Sequence, residues 1–398
     1  MALTFLEARA AVLQRARRAD PNDAHAIEPL GPLQALGRVI AENVSADRDY
    51  PPFARSARDG FAVRAADLPG ELAIIGEVRA GQVFEGRVIA GQAVEIMTGA
   101  PVPEGADAVV MVEHTERTED RVRISQAAHP GENVSARGVE ARQGGAVLEA
   151  GQRLGFAHIA ALAMVGRECV QVYRKPRVAI IPTGDEIVGA GEQPQQFQIR
   201  NSNAFSLAAQ VERAGGTPVI LPIARDNYES TRWLMERGLQ EDLMVLSGGV
   251  SAGKYDIVEK VLADLGAEFY FDRVKIQPGQ PVVFGAARGK QFFGLPGNPA
   301  STMVTFEVFA RAAIELLSGA KAAPLPLLRA RLTQDFRHKP GLTRFLPAIL
   351  SADGSTVTPE SWHGSGDIPA LARSNAFLVA EADRESWAAG EDIRVLMR

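Results

Sequence analysis

Between residues 4 and 16 the apolar positions Phe5, Leu6, Val12 and Leu13 recur at helical spacing, and the pattern breaks over 47–52. An N-terminal helix is predicted. From Phe53 to about Glu132 the periodicity gives way to the short runs AIIGEV, AVEIMT, AVVMVE and RVRIS, separated by Gly and Pro, which read as a β-rich unit. Gly144, Gly145 and Gly151 then precede LGFAHIAALAMVG, expected to be a buried helix that returns to pack on the first one. The first domain is therefore expected to be discontinuous.

From 177 to about 319 strand-like and helix-like segments alternate: VAIIPT, NAFSLAAQVERAGG, PVILPI, a helix through Trp233, LMVLSGG and a helix over 256–265. That order predicts a mostly parallel sheet wrapped by helices, with a ligand crevice at the carboxyl ends of the strands. Beyond 322–326 the runs LLRARL, TRFLPAIL, TVTPE, AFLVA and IRVLMR predict a small all-β unit. The fold class expected is α/β plus β, multidomain: a helical or linker domain over 1–50 and 138–174, a β-rich domain over 51–137, a mostly parallel α/β domain over 175–321 and a C-terminal small β-barrel over 322–398.

Composition narrows the function classes. Acids exceed bases, 48 to 43, with no long basic run, so a nucleic-acid partner is not expected. No uncharged apolar stretch approaches the ~20 residues that cross a bilayer, so no membrane partner is expected. Glu7, Arg9, Arg15, Arg17 and Arg18 interrupt any signal-like apolar core, and Cys169 is the single cysteine; a reducing, cytoplasmic setting is expected.

Three loops at predicted strand ends carry candidate chemistry. In LMVLSGGVSAGKYD, Gly248, Gly249, Ser251 and Gly253 suit a phosphate cradle opening a helix. Residues 248–254 fit the start of a P-loop, but Tyr255 stands where Ser or Thr must reach magnesium; a glycine loop that only permits tight packing is the plain alternative. In IIPTGDEI and PIARDN, Glu186, Asp185 and Asp226 would share one rim with Asp256, and carboxylates meeting there repel unless a hard cation such as magnesium intervenes; helix capping or simple exposure explains each one alone. In GLPGNPAST, Asn298 and Pro299 suit a helix start, while Gly297 and the amides beyond it suit an oxyanion. Ser56, Arg58, Asp59 and Gly60 form a turn in PPFARSARDGFAV, and Thr98 lies in IMTGAPVPEGADAVV. The six histidines lack ligand spacing, and there is no GxSxG elbow.

Taken in order, PPFARSARDGFAV, IMTGAPVPEGADAVVMVE, GENVSARGVEA, IIPTGDEIV, RNSNAFSL, LSGGVSAGKYD, QPGQPVVFG and GLPGNPAST make the chain resemble the molybdopterin molybdotransferase family, known as MoeA in bacteria and related to the E domain of gephyrin. The resemblance implies a homodimeric transferase that uses adenylated molybdopterin and molybdate, needs Mg2+ or a similar divalent ion, and releases AMP. By motif match, Asp59 and Thr98 would come from the β-rich domain, with Glu186, Asp226 and Asp256 as metal-holding acids of the α/β rim. Because the chain is net acidic, local cations must offset both substrates, and of the candidates Lys275, Arg273 and Lys254, Lys275 ranks first. Gly248, Gly249, Ser251 and Gly253 would hold phosphates, with Ser56, Arg273, Pro296, Gly297, Asn298 and Ser301 as further substrate contacts. Other cofactor-synthesis proteins are implied partners, and a non-catalytic scaffold paralogue is the alternative function. Where the family reads KPGKP this chain has Gln277 and Gln280, which offer amides in place of two charges.

Overall fold

The computed structural model describes residues 2–20, 22–249 and 257–398. Thr4 caps the first helix, Phe5–Arg15: its hydroxyl accepts the Glu7 N–H at 3.3 Å, while the Glu7 carboxylate accepts the Thr4 N–H at 2.8 Å. The buried face of Phe5, Ala8 and Val12 packs against Phe309 and Phe345, with ring centroids 6.1 and 5.3 Å from Phe5. The expected docking of this helix on the second one, Phe156–Met164, does not form. Nor is the second helix buried, since Leu162 is its one covered residue and Phe156 is 88% exposed. Leu162 inserts into a small cluster with Ile40, Val44, Leu154 and Val172, which is too small to cover the helix's other apolar faces.

The β-rich unit is a six-stranded sheet in the order Ala108–Met111, Gly60–Val63, Gln92–Ile96, Gly70–Val78, Arg121–Ile124 and Thr115–Arg117. Strand alternation sends Phe61 and Val63 into one apolar cluster and Ala62 into another, so both faces are covered.

The α/β unit has a six-stranded sheet in the order Thr217–Ile220, Arg177–Pro182, Leu243–Ser247, Lys290–Leu295, Val283–Ala287 and Glu268–Phe271. The first four strands run parallel, and the last two are antiparallel additions. Asn203–Ala214 and Pro299–Thr305 pack on one face, and Tyr228–Gly238 and Ile257–Asp264 on the other. The register aligns Pro182, Ser247 and Leu295, so three strands end at one level and their following loops open side by side. The helix from Pro299 passes through a π segment, Phe306–Ala310, before Arg311–Leu317.

At the C-terminus five strands close on themselves. Thr343–Leu350 pairs with both Thr356–Pro359 and Ala376–Ala380, and Leu327–Leu332 and Asp392–Met397 complete the ring. These are the five runs expected from alternation. Closure removes the open sheet edges that invite aggregation. No helix among the described residues is long and apolar enough to cross a membrane.

Candidate active site

The loops after the aligned strands enclose a cleft of about 480 Å³. Thr183, Gly184 and Glu186 enter it from the first strand, Ser247, Gly248 and Gly249 from the second, and Pro296, Gly297 and Asn298 from the third. Asp226 comes from the loop that follows Thr217–Ile220. The crevice thus lies at the carboxyl rim, as the strand order predicts.

Backbone geometry shapes the floor. Gly248 has φ +99°, and a Cβ there would lie 2.8 and 2.9 Å from the hydroxyl and carbonyl oxygens of Thr183. Only glycine lets the second loop turn this close to the first. Gly248 N–H donates to the Leu295 carbonyl at 3.0 Å, which ties the second loop to the third strand.

The acids divide by role. Asp185 and Asp226 clamp each other's backbone: Asp226 N–H donates to Asp185 Oδ1 at 3.1 Å and Asp185 N–H to Asp226 Oδ2 at 3.4 Å. Asp226 Oδ1 and the whole Glu186 carboxylate have no hydrogen-bond or ion-pair partner among the described residues. Two acids therefore face one cleft without a direct partner among the described residues, with Arg200 in the same lining. Such a donor set suits a hard cation when substrate oxygens complete it, although no group of three or more His, Cys, Asp or Glu side chains gathers for a metal among the described residues. Ser251, Gly253, Lys254 and Asp256 lie outside the described residues.

Asn298 occupies the helix N-cap position, but its side chain makes no capping bond. The Ala300 N–H that such a cap would accept donates instead to the Ser365 carbonyl at 2.8 Å, and the Thr302 hydroxyl bonds the Pro296 and Asn298 carbonyls at 2.5 and 3.1 Å, which fixes the loop from below. Ser301 is buried and does not line the cleft; its carbonyl accepts the Thr305 hydroxyl at 2.7 Å. Lys275 and Arg273 do not line it either. Their backbones pair with Leu3, and the Lys275 charge acts on Glu7 of the first helix. The glutamine-bearing segment reaches the cleft through Pro281.

Asp59 and Thr98 form a separate site on the β-rich sheet and are not part of the cleft lining. Asp59 Oδ1 accepts the Thr98 N–H at 2.6 Å and its hydroxyl at 2.9 Å, and these bonds hold the carboxyl below its usual range. Ser56 is buried beneath the turn, where its hydroxyl donates to the Arg58 carbonyl at 2.5 Å.

One residue of the cleft had been given no role. Asn203 Nδ2 donates to Ser247 Oγ at 2.9 Å and to the Gly297 carbonyl at 2.7 Å, while its buried Oδ1 has no partner among the described residues. The available signal was the polar cluster RNSN placed directly before an amphipathic helix.

Sequence comparison matches residues 3–166 to the MoeA N-terminal region (domain I and II), 179–316 to a probable molybdopterin binding domain, and 329–397 to the MoeA C-terminal region (domain IV). The chain is 35% identical to a molybdopterin molybdenumtransferase of Staphylococcus epidermidis over 374 residues, covering 92% of this chain and 89% of that one. It is 33% identical to that of Staphylococcus aureus at the same coverage. A crystal structure of a molybdopterin biosynthesis MoeA protein from Pyrococcus horikoshii superposes with TM-score 0.82 at 28% identity, covering 100% of both chains.

Proposed function

Because the chain belongs to the MoeA family of molybdopterin molybdenumtransferases and is a transferase of molybdenum-cofactor biosynthesis, we propose that it inserts molybdate into adenylated molybdopterin with magnesium-dependent release of AMP. The observation that carries this reading is the meeting, within one cleft, of tight glycine turns with acids that have no direct partner among the described residues. Cleaving a pyrophosphate beside an incoming oxyanion concentrates negative charge, and acids alone would oppose it. A divalent ion held by Glu186 and Asp226, with Asp256 by motif match, would supply the compensating charge and polarise the bond to be cleaved.

The residues of this chain do the positioning. By motif match the glycine loop beyond Gly248, with Ser251 and Gly253, would offer backbone amides to the phosphates, the Gly248 N–H itself being bound to the Leu295 carbonyl, and the loop 296–298 lines the same cleft. Asn203 Oδ1 is an acceptor waiting for an N–H or O–H of the substrate. Asp59, already held as an anion by Thr98, would orient the incoming molybdate or its water.

Since Asp59 and Thr98 do not line the cleft of their own chain, they would serve it from a second copy, in a homodimer. That assembly is supported by the helix Phe156–Met164, apolar on all sides yet covered on one, because such helices are normally buried. The division into 1–50 with 138–174, 51–137, 175–321 and 322–398 belongs to the same reading. Its discontinuous first part is supported by the shared cluster of Ala35, Ile40 and Val44 with Leu148, Leu162 and Val172. A cytoplasmic location completes it.

The test is AMP release from adenylated molybdopterin by the purified protein, with and without molybdate and magnesium. Release requiring both is expected, with a loss of roughly a hundredfold or more in Glu186→Ala and Asp226→Ala. Unchanged turnover in both variants rejects the site, and pterin binding without AMP release under any divalent metal identifies a scaffold.

A further inference from the structure

A second cavity, of about 290 Å³, lies where the first helix, the helix Arg311–Leu317 and the segment leading to the barrel meet. Four cationic side chains line it, Arg9, Arg153, Arg311 and Lys321, against two carboxylates, Glu307 and Glu315. Both carboxylates are already paired, in part with Arg311 of the same lining. Glu307, buried in the π segment, takes Arg213, Arg311 at 3.4 Å and Gln210 at 2.7 Å, and Glu315 takes Arg311 at 2.8 Å. Among the described residues Lys321 meets only Glu149, at 3.5 Å, in an exposed pair of the kind that contributes little.

Arg9 and Arg153 meet no carboxylate among the described residues. Arg153 donates to the carbonyls of Gly37 and Ala214 at 2.7 and 3.4 Å, and Arg9 to those of Val308 and Ala323 at 2.7 and 3.1 Å. Arg9 is only 8% exposed, and its Nε–H is buried without an acceptor among the described residues. Burial also holds its guanidinium below the usual value, more than the charge of Glu315 offsets. A buried cation that makes no direct ion pair is costly and favours an anion beside it. The π segment beneath adds to the case, because π turns recur at functional sites.

We propose that this cavity binds a tetrahedral dianion of the phosphate class, held by the exposed Arg153 and Lys321 and by the field of the buried Arg9. The excess of two positive charges in the lining matches a dianion, and guanidinium forks suit its oxygens. Inorganic phosphate and molybdate share this chemistry. An anion here joins the first helix, the segment at Arg153 and the linker to the barrel, so it stiffens the junction between units. This site is independent of the function proposed for the cleft.

The experiment is calorimetric titration of the full chain with sodium phosphate and, separately, sodium molybdate, at ionic strength fixed with sodium chloride. The proteins compared are the wild type, Arg153→Gln, Lys321→Gln and the cleft variant Asn203→Ala. Phosphate is expected to bind the wild type and Asn203→Ala alike, and roughly tenfold more weakly in the two cavity variants. Molybdate following the same pattern marks a general dianion site; molybdate alone following it marks one selective for that oxyanion. Binding of neither anion, phosphate binding undiminished in both cavity variants, or phosphate binding lost in Asn203→Ala instead overturns the proposal. Thermal unfolding without anion checks folding, and should Arg153→Gln lose its ties to Gly37 and Ala214 and misfold, Lys321→Gln carries the test.

Discussion

The turn at Asp59 and the carboxyl rim of the α/β sheet both present acids to solvent, yet their charges are treated in opposite ways. Asp59 receives a backbone N–H and a hydroxyl from Thr98 and is stabilised as an anion by its own chain. At the rim, Glu186, one oxygen of Asp226 and the buried Asn203 Oδ1 receive no hydrogen bond from the described residues. A satisfied acid acts as a fixed charge. Unsatisfied groups around a cleft mark where a ligand must supply what the fold withholds.

The strongest test of that contrast concerns the rim's backbone. Gly248→Ala must leave a φ of +99° or push against Thr183, and a loss of about 2 kcal/mol or more in stability is expected, together with loss of AMP release. Gly297→Ala is the control, because its Cβ would meet only Gly248 Cα, at an ordinary 3.6 Å; less than about 1 kcal/mol is expected there. Denaturant unfolding of both variants measures the difference. Equal effects would mean that the rim holds no special conformation.

Asn203 gives a smaller effect. Asn203→Ala removes two donated bonds but also a buried acceptor without a donor, so its stability cost should fall near the low end of the ~1–3 kcal/mol for a broken buried bond. Its effect on binding of adenylated molybdopterin should be larger in proportion, roughly tenfold, if Oδ1 serves the substrate. Affinity unchanged alongside lowered stability would make Asn203 a brace for Ser247 and Gly297 only.

Much of this arrangement was readable in the chain. The barrel strands announced themselves because a closed sheet with one face on a core favours alternation, as in the buried Ala330 and Leu332 of LLRARL and the buried Ile393 and Val395 of IRVLMR. The parallel strands did so as apolar runs, and their order placed the cleft. Harder to see were the antiparallel additions Glu268–Phe271 and Val283–Ala287, whose short runs lack a distinguishing period. The exposure of Phe156–Met164 was hidden because composition records that a helix is apolar, not whether its neighbours are large enough to cover it. Lys275 was chosen because cations must offset anionic substrates, but side-chain direction depends on the pairing of its segment with Leu3 and Thr343, which are remote in sequence. Asn203 escaped because an unsatisfied oxygen is a property of packing and has no local signature.

The mildest prediction returns to Asp59. Thr98→Val deletes the hydroxyl but keeps the N–H bond, so the Asp59 pKa should rise towards the ordinary value of about 3.9 without reaching it. A depressed carboxyl pKa contributes stability that is present above the unfolded value and is lost as pH falls through the folded value. The variant should therefore be slightly less stable than the wild type above about pH 4, and the two should converge in stronger acid, where both carboxyls are protonated. Carboxyl-carbon NMR titration of Asp59 reads the shift directly, and unfolding midpoints across the acid range read its consequence. A pKa unmoved by the substitution would show that the backbone N–H alone fixes this charge, leaving the Thr98 hydroxyl free to serve the ligand.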